Sequence, residues 1–351
     1  MRCPRDVAIV GFAQTVHRRT SENVSETEML LPVLREVLDR TGLAPGEAGF
    51  TCSGSSDYLA GRPFSFTLAL DGVGAWPPIA ESHVEMDGAW ALYEAWVELL
   101  TGATDTALVY ACGKSSAGDL DAVLTRQLDP YCTAPLWPGP ADLAALQAQA
   151  LIDAGATDET ELAAVAARNR AAARDNPYAQ LRGRVPMGPR RAGPLRTGDC
   201  PPVSDGAAAV VLAAGDTARR MCERPAWIRG LDHRIDPQGL GLRDLTEASS
   251  ARLAAEHAGA FDAPVDTAEI HAPFTAQEVI LRRALRLGPE VTVNPSGGAL
   301  AANPVMVAGL VRFGEAAARI HRGESRRALA HATSGPCLQQ NLVGVLEGEG
   351  P

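Results

Sequence analysis

Residues 83–90 read His-Val-Glu-Met-Asp-Gly-Ala-Trp: a short extended run, then a glycine that opens a helix of aromatic and aliphatic residues. Enzymes often place a nucleophile at such a turn, where backbone amides at a helix N-terminus favour negative charge. Here the turn holds two carboxylates, Glu85 and Asp87. Three readings are open: a working site, an altered site, or a well-capped helix. Asp87 precedes Gly88 and a helical run, so it reads most simply as an N-cap. His83 lies two residues before Glu85 and would assist it, although a lone histidine near a strand is usually packing.

The elements that position this turn follow from pattern. "DVAIVGFAQT" is a β-branched run closed by glycine, a buried strand. "SETEMLLPVLREVLDRTGL" has helical spacing with acidic residues early and Gly42 at its end. "PIAESHVEMDGAWALYEAWVELLTG" gives strand, turn and helix, and "DTALVYACG" a second buried strand. The later half repeats the plan. "PAWIRGLDHRI" is a strand, "EASSARLAAEHAG" a helix, "DTAEIHAPF" extended and "TAQEVILRRALRLG" helical. "VTVNPSGGALAANPVMVAGLVRFGEAAARIHRG" then gives strand, Gly-rich turn and helix, and "SRRALAHATSG" a strand ending in glycine. Alternating strands and helices predict an α/β fold with a parallel or mixed sheet covered by helices. "ALVYACG" set beside "ALAHATSG" points to a duplicated α/β unit. The predicted division is residues 1–118 with 200–222 as the N-terminal half, 119–199 as an inserted loop region, and 223–351 as the C-terminal half.

Composition bounds the function. The 351 residues are 46% hydrophobic and 21% charged, an ordinary globular balance. That length fits about two domains of roughly 150 residues each. No apolar run reaches the ~18 residues of a membrane span. The opening "MRCPRDVAIVGFAQT" lacks the features of a signal peptide. Seven cysteines without a CxxC pair read as reduced thiols in a cytoplasm, and no metal site is expected. A net charge of −10 argues against nucleic acid as a partner. Within the acidic chain, eight arginines fall between Arg168 and Arg196. Singly each reads as solvated surface; as a cluster they suit a polyanion such as a phosphorylated nucleotide tail. Pro177, Pro186, Pro189 and Pro194 forbid one continuous helix there.

Four segments in order carry a family resemblance. "RNRAAARDNPYAQ" resembles the insertion-loop region of thiolases related to sterol carrier protein x. "CPPVSDGAAAVVLA" (200–213) resembles the thiolase "SDGAAA" strand. "EIHAPF" (269–274) is similar to the "HDCF" variant of "NEAF". "VNPSGGALAANPVMVAGL" (293–310) resembles "N-x-x-GGA-x-A-x-G-H-P". The resemblance covers nearly the whole chain. It implies the five-layered αβαβα thiolase fold, a dimer with itself or a homologous chain, and an acyl-CoA ligand. No cofactor is implied beyond the coenzyme A thioester as substrate.

The departures decide the chemistry. The family nucleophile sits three residues before the glycine of "C-x-x-G", and counting back from Gly88 lands on Glu85. The histidine of "G-H-P" is Asn303, and the second cysteine position falls near Ser334 or Gly335, with Cys337 out of register. Only the motif histidine remains, as His271. Thiolysis and Claisen chemistry need a thiolate and a proton-moving thiol. What the resemblance leaves is an acyl-CoA site in which His271 and Asn303 donate to a carbonyl and the amides of Gly297 and Gly298 stabilise an oxyanion. Glu85 is the titratable group in the nucleophile slot. It would act as a base there, or stay ionised and weakly basic at the helix N-terminus.

Each of these has a packing alternative. His271 would be a core histidine, and Asn303–Pro304 a turn pair. Cys112 and Cys337 read as buried, inert thiols, and Trp76, Trp90 and Trp96 as core or interface.

The chain resembles thiolase-related aldolases of actinobacterial steroid side-chain degradation, which lack the thiolase cysteines and work with a small OB-fold, zinc-ribbon protein. It does not carry the tyrosine that some of them have at the nucleophile position. The expected activity is retro-aldol cleavage of a β-hydroxyacyl-CoA with a steroid or lipid side chain. Two alternatives stand: a degenerate subunit of a heteromeric complex, and an acyltransferase that uses Cys337 or Cys112.

Overall fold

A computed structural model describes residues 5–184 and 186–349. The first half runs β1 (Val7–Gln14), α1 (Glu26–Thr41), β2 (Phe50–Gly54), the short helices α2 (Asp57–Ala60) and α3 (Leu70–Val73), β3 (Glu81–Val84), α4 (Gly88–Thr101) and β4 (Thr106–Lys114). Residues 119–199 carry α5 (Leu120–Arg126), α6 (Pro140–Asp153), α7 (Glu159–Ala172) and a small hairpin of β5 (Arg190–Ala192) and β6 (Leu195–Arg196). Next come β7 (Val203–Ala214) and α8 (Gly215–Met221). The second half runs β8 (Ala226–Ile235), α9 (Ser249–His257), β9 (Thr267–Ile270), α10 (Thr275–Ala284), β10 (Thr292–Val293), α11 (Gly298–Ala301), β11 (Asn303–Pro304), α12 (Ala308–His321), β12 (Arg327–Ser334) and β13 (Gln340–Glu347).

The strands lie in the order β10-β9-β12-β13-β8-β1-β7-β4-β2-β3. β1 and β8 join through only two residue pairs, Ala8 with Trp227 and Ile9 with Ala226. Each side of that seam is therefore a five-stranded sheet. Read inward from its outer edge, each sheet has the same pairing: parallel, parallel, antiparallel, antiparallel. The duplication inferred from weak internal similarity is thus explicit in the strand pairing.

Three apolar layers hold the stack. One lies between α1 and the first sheet, around Leu34, Val37, Leu108 and Trp227. The central one packs α4 and α12 between the two sheets, around Leu92, Leu99, Leu310 and Phe313. The third packs the second sheet under α9 and α10, with α6 and α7 contributing Ala148, Leu151, Leu162 and Val165. Helix, sheet, helix, sheet, helix makes five layers, and the mixed α/β fold expected from sequence is present.

Two local expectations change. The Gly-rich turn at 297–298 does not run into the long helix. It starts only α11, Asn303–Pro304 pairs with β7 as β11, and α12 begins at Ala308. Pro304 lacks the amide a helix interior needs, so the chain breaks there. The inserted stretch is also more regular than its prolines imply. Its two 14-residue helices, α6 and α7, precede that proline-rich run and pack on α10.

Candidate active site

The corner at residues 85–88 is a joint between helices. α4 begins at glycine because α12 crosses it: a Cβ on Gly88 would lie 2.8 Å from Ala111 Cβ and 2.9 Å from Leu310 Cδ2. The Gly88 amide donates to Met306 O at 2.9 Å. Asp87 is buried and does more than cap its own helix. Its Oδ1 accepts from the Ala89 amide at 2.8 Å and the Leu310 amide at 2.9 Å, and its Oδ2 accepts from the Gly309 amide at 2.9 Å. One carboxylate therefore binds the N-termini of both central helices, where amides and macrodipole favour an anion. Burial raises its pKa, and the three amides and Arg312 pull it back without restoring the ordinary carboxylate value.

Glu85 lies outside this joint. It is exposed, and its Oε1 accepts from the Asp57 amide at 2.6 Å, at the first residue of α2. No hydrogen bond among the described residues links it to His271 or Asn303. His83 stacks on Phe66 with ring centroids 3.6 Å apart, which is packing.

His271 and Asn303 do meet. His271 follows β9 and is 8% exposed, and its Nε2 lies 2.9 Å from Asn303 Oδ1. The Thr333 amide approaches His271 Nδ1 at 3.5 Å. This pattern assigns the proton to Nε2, which donates to the Asn303 oxygen. The Asn303 side-chain NH2 then has no partner among the described residues and is half-buried. Burial, aided by Arg312, lowers the His271 pKa to about 4, so the ring is neutral near pH 7. Asn303 is fixed from behind by its amide, which donates to Ser204 Oγ at 3.0 Å.

Beneath this pair lies a buried ion pair that the sequence reading missed. Glu269, two residues before His271, accepts from Arg312 Nη1 at 2.7 Å, from Ser296 Oγ at 2.7 Å and from the Ser296 amide at 2.9 Å. Arg312 also donates to Ser296 Oγ at 2.6 Å. The pair ties β9, the Gly-rich turn and α12 together. A charged residue inside an otherwise apolar stretch, "AGLVRF", was the available signal.

The amides of Gly297 and Gly298 are engaged within the turn. Gly297 N donates to Asn294 O at 2.9 Å, and Gly298 N approaches Ser296 Oγ at 3.4 Å. Gly297 has φ +102°, which favours glycine. Ser334 ends β12 half-buried, next to Thr333, and Gly335 is an exposed turn residue at φ +73°. The open donor of this constellation is therefore the Asn303 amide group.

Three thiols, Cys52, Cys112 and Cys337, are held protonated. Burial pushes Cys52 up to about 12 and Cys337 up to about 11, and raises Cys112 as well. A thiol that stays protonated is a poor nucleophile. Of the eight clustered arginines, six hold protein groups: Arg168 pairs with Glu278, Arg190 with Glu159 and Arg191 with Asp121, while Arg170, Arg182 and Arg196 donate to backbone carbonyls. The site thus offers one open donor, the Asn303 NH2, and neither Cys112 nor Cys337 as a ready nucleophile.

No family model matches the chain. It is 25% identical over 378 residues to the acetyl-CoA acetyltransferase of Methanothermobacter thermautotrophicus, covering 97% of each chain. Over nearly its whole length the chain is similar to thiolase-superfamily proteins. It is also 22% identical to benzoylsuccinyl-CoA thiolase subunit BbsB of Thauera aromatica, over 97% of this chain and 98% of that one. Among solved structures, the Ltp2-ChsH2(DUF35) aldolase superposes with a TM-score of 0.80 at 17% identity, over 98% of both chains. At the corner before α4 the chain carries Glu85, and the helix N-terminus is filled from within by Asp87.

Proposed function

We propose that this chain polarises an acyl-CoA thioester with the His271–Asn303 pair and, within a complex, cleaves a β-hydroxyacyl-CoA by a retro-aldol step. The observation that carries the reading is a neutral, buried histidine bonded to an asparagine whose amide donor stays free, in a thiolase fold without the elbow thiol. In the proposed step a base takes the β-hydroxyl proton. The Cα–Cβ bond breaks, its electron pair passes into the thioester enolate, and a ketone or aldehyde leaves. The enolate is reprotonated at Cα, giving the shortened acyl-CoA. Donors aimed at the enolate oxygen are the main protein contribution to such a reaction. Glu85 is the carboxylate proposed as base, and it must release the Asp57 amide to act.

The substrate proposed is the CoA thioester of a steroid or lipid side chain. The assembly proposed is a dimer, with itself or with a thiolase-like subunit, joined by a small OB-fold, zinc-ribbon protein. Similarity to one protein named an aldolase and to another named a thiolase subunit supports both. The test is mass spectrometry of a β-hydroxyacyl-CoA incubated with the chain and its partner subunits. A shortened acyl-CoA and a carbonyl product are expected, with His271→Ala and Glu85→Ala slowed. Absence of both products, with variants that match wild type, sinks the reading.

A second reading is favoured by one specific observation: both elbow carboxylates are engaged, Glu85 with the Asp57 amide and Asp87 with the helix ends. In that reading the chain is a non-catalytic subunit beside an active sister. An active complex whose rate survives substitution of Glu85, His271 and Asn303 together would establish it, and a fully active homodimer would exclude it. An acyltransferase using Cys112 or Cys337 ranks last, because both thiols are held protonated.

A further inference from the structure

A cavity of about 240 Å³ opens in the outer helical layer of the second half, between the start of α9 and the last turn of α10. That is the room of about eight waters at roughly 30 Å³ each, enough for a phosphate group and a few further atoms. Arg283 on its wall lies about 12 Å along α10 from Thr275, the first helical residue after the His271 segment. Two guanidinium groups line this one cavity, Arg252 from α9 and Arg283 from α10. The Arg252 guanidinium is exposed and has no hydrogen bond or ion pair among the described residues. Arg283 donates to the Ala156 carbonyl, a neutral partner that anchors the side chain and leaves its charge uncompensated. The Ser249 hydroxyl, also on the lining, has no partner among the described residues. One carboxylate, Glu247, lines the cavity and forms no ion pair with either arginine. The carboxylates nearby are committed elsewhere. Asp244 accepts from the Thr246 amide at 2.8 Å and hydroxyl at 2.7 Å, and Asp236 accepts from the Ser250 amide and hydroxyl. Two positive groups thus face one negative group across a concavity, in a chain whose net charge is −10. Like charges that share a concavity repel until an anion joins them.

We propose that this cavity binds a phosphate group, free or as a small monoester, between Arg252 and Arg283, with Ser249 Oγ as a further donor. A planar guanidinium matches two phosphate oxygens at once, which an ammonium does not. Ile280 and Ala284 supply an apolar wall against which the organic part of a monoester rests. The site is separate from His271 and stands whether or not the chain is a lyase.

The experiment is isothermal titration calorimetry of the full chain with inorganic phosphate and, separately, with phenyl phosphate, at fixed ionic strength set with chloride. Saturable binding of phosphate is expected. Tighter binding of phenyl phosphate assigns the site to an organic monoester, and equal binding assigns it to free phosphate. Arg252→Gln should weaken binding about tenfold, and Arg252→Gln with Arg283→Gln by a further factor of about ten, one charge-assisted contact each. Because the Arg252 guanidinium has no partner in the fold, the ligand-free Arg252→Gln variant should melt at the wild-type temperature, so a loss of binding is not a loss of folding. Absence of saturable binding, equal affinity in the double variant, or displacement of phosphate by chloride at equal concentration overturns the proposal.

Discussion

Replacing Asp87 tests whether the elbow has become a structural joint. Asp87→Ala leaves three buried amides, those of Ala89, Gly309 and Leu310, without their acceptor. Each unsatisfied buried group costs about 1–3 kcal/mol, so the gross loss is about 3–9 kcal/mol. Part is returned, because the deleted carboxylate was itself disfavoured by burial, as its raised pKa records. A net destabilisation of about 2–4 kcal/mol is expected. Asp87→Asn keeps one oxygen for Ala89 and Leu310 but turns an NH2 toward the Gly309 amide, for a loss of about 1–2 kcal/mol. The order wild type, Asn, Ala is therefore expected in urea unfolding followed by tryptophan fluorescence, with buried Trp90 in α4 as a reporter. An alanine variant within about 0.5 kcal/mol of wild type, the size of an ordinary surface change, or an asparagine variant weaker than alanine, refutes the joint.

Further outcomes follow from the same geometry. His17, His271 and His331 have pKa values lowered by burial to about 3, 4 and 3 from 6.5. These groups stay neutral in the fold while the unfolded chain takes up protons below about pH 6.5, so stability is full above that pH and falls toward pH 4. The slope is up to about 1.4 kcal/mol per pH unit per histidine. Urea midpoints measured from pH 7.5 to 4.5 check this, and a flat profile contradicts it. Asn303→Ala should lower kcat/KM on a β-hydroxyacyl-CoA by about 10²–10³, as for loss of one oxyanion donor, and should cost about 1–3 kcal/mol of stability because the buried His271 Nε2–H loses its acceptor; steady-state kinetics and urea unfolding would read the two effects. Because His271 is already neutral, the rate of that reaction should show no inflection near pH 6.5 from this ring, and a His271→Gln variant should keep the wild-type profile shape. Serine at Cys52, Cys112 and Cys337 together should leave turnover unchanged, and intact-mass spectra after acyl-CoA treatment should show no adduct on any of the three.

The sequence was readable where the physics is local. α1 has its Ser25–Glu28 capping box and Gly42 stop, and the apolar runs of β1, β4 and β12 declare buried strands. It was less readable where one residue serves distant elements. Asp87 could be read as the cap of α4 but not as the acceptor for Gly309 and Leu310, more than 220 positions away. The same holds for Glu269 and Arg312, whose charges make sense only once β9 and α12 are adjacent. Strand β13 escaped because "QNLVGVLE" carries no glycine turn or catalytic motif to mark it. Of the candidate site, His271 and Asn303 are joined by a hydrogen bond. Glu85 stands apart because its carboxylate is drawn to the open amide at the start of α2.

The most direct measurement is a crystal structure of the chain with a bound β-hydroxyacyl-CoA. The account predicts the thioester oxygen within about 3 Å of the Asn303 side-chain nitrogen, beside His271, with the elbow still closed by Asp87. A thioester bound elsewhere, or an acyl group attached to any cysteine, would contradict it.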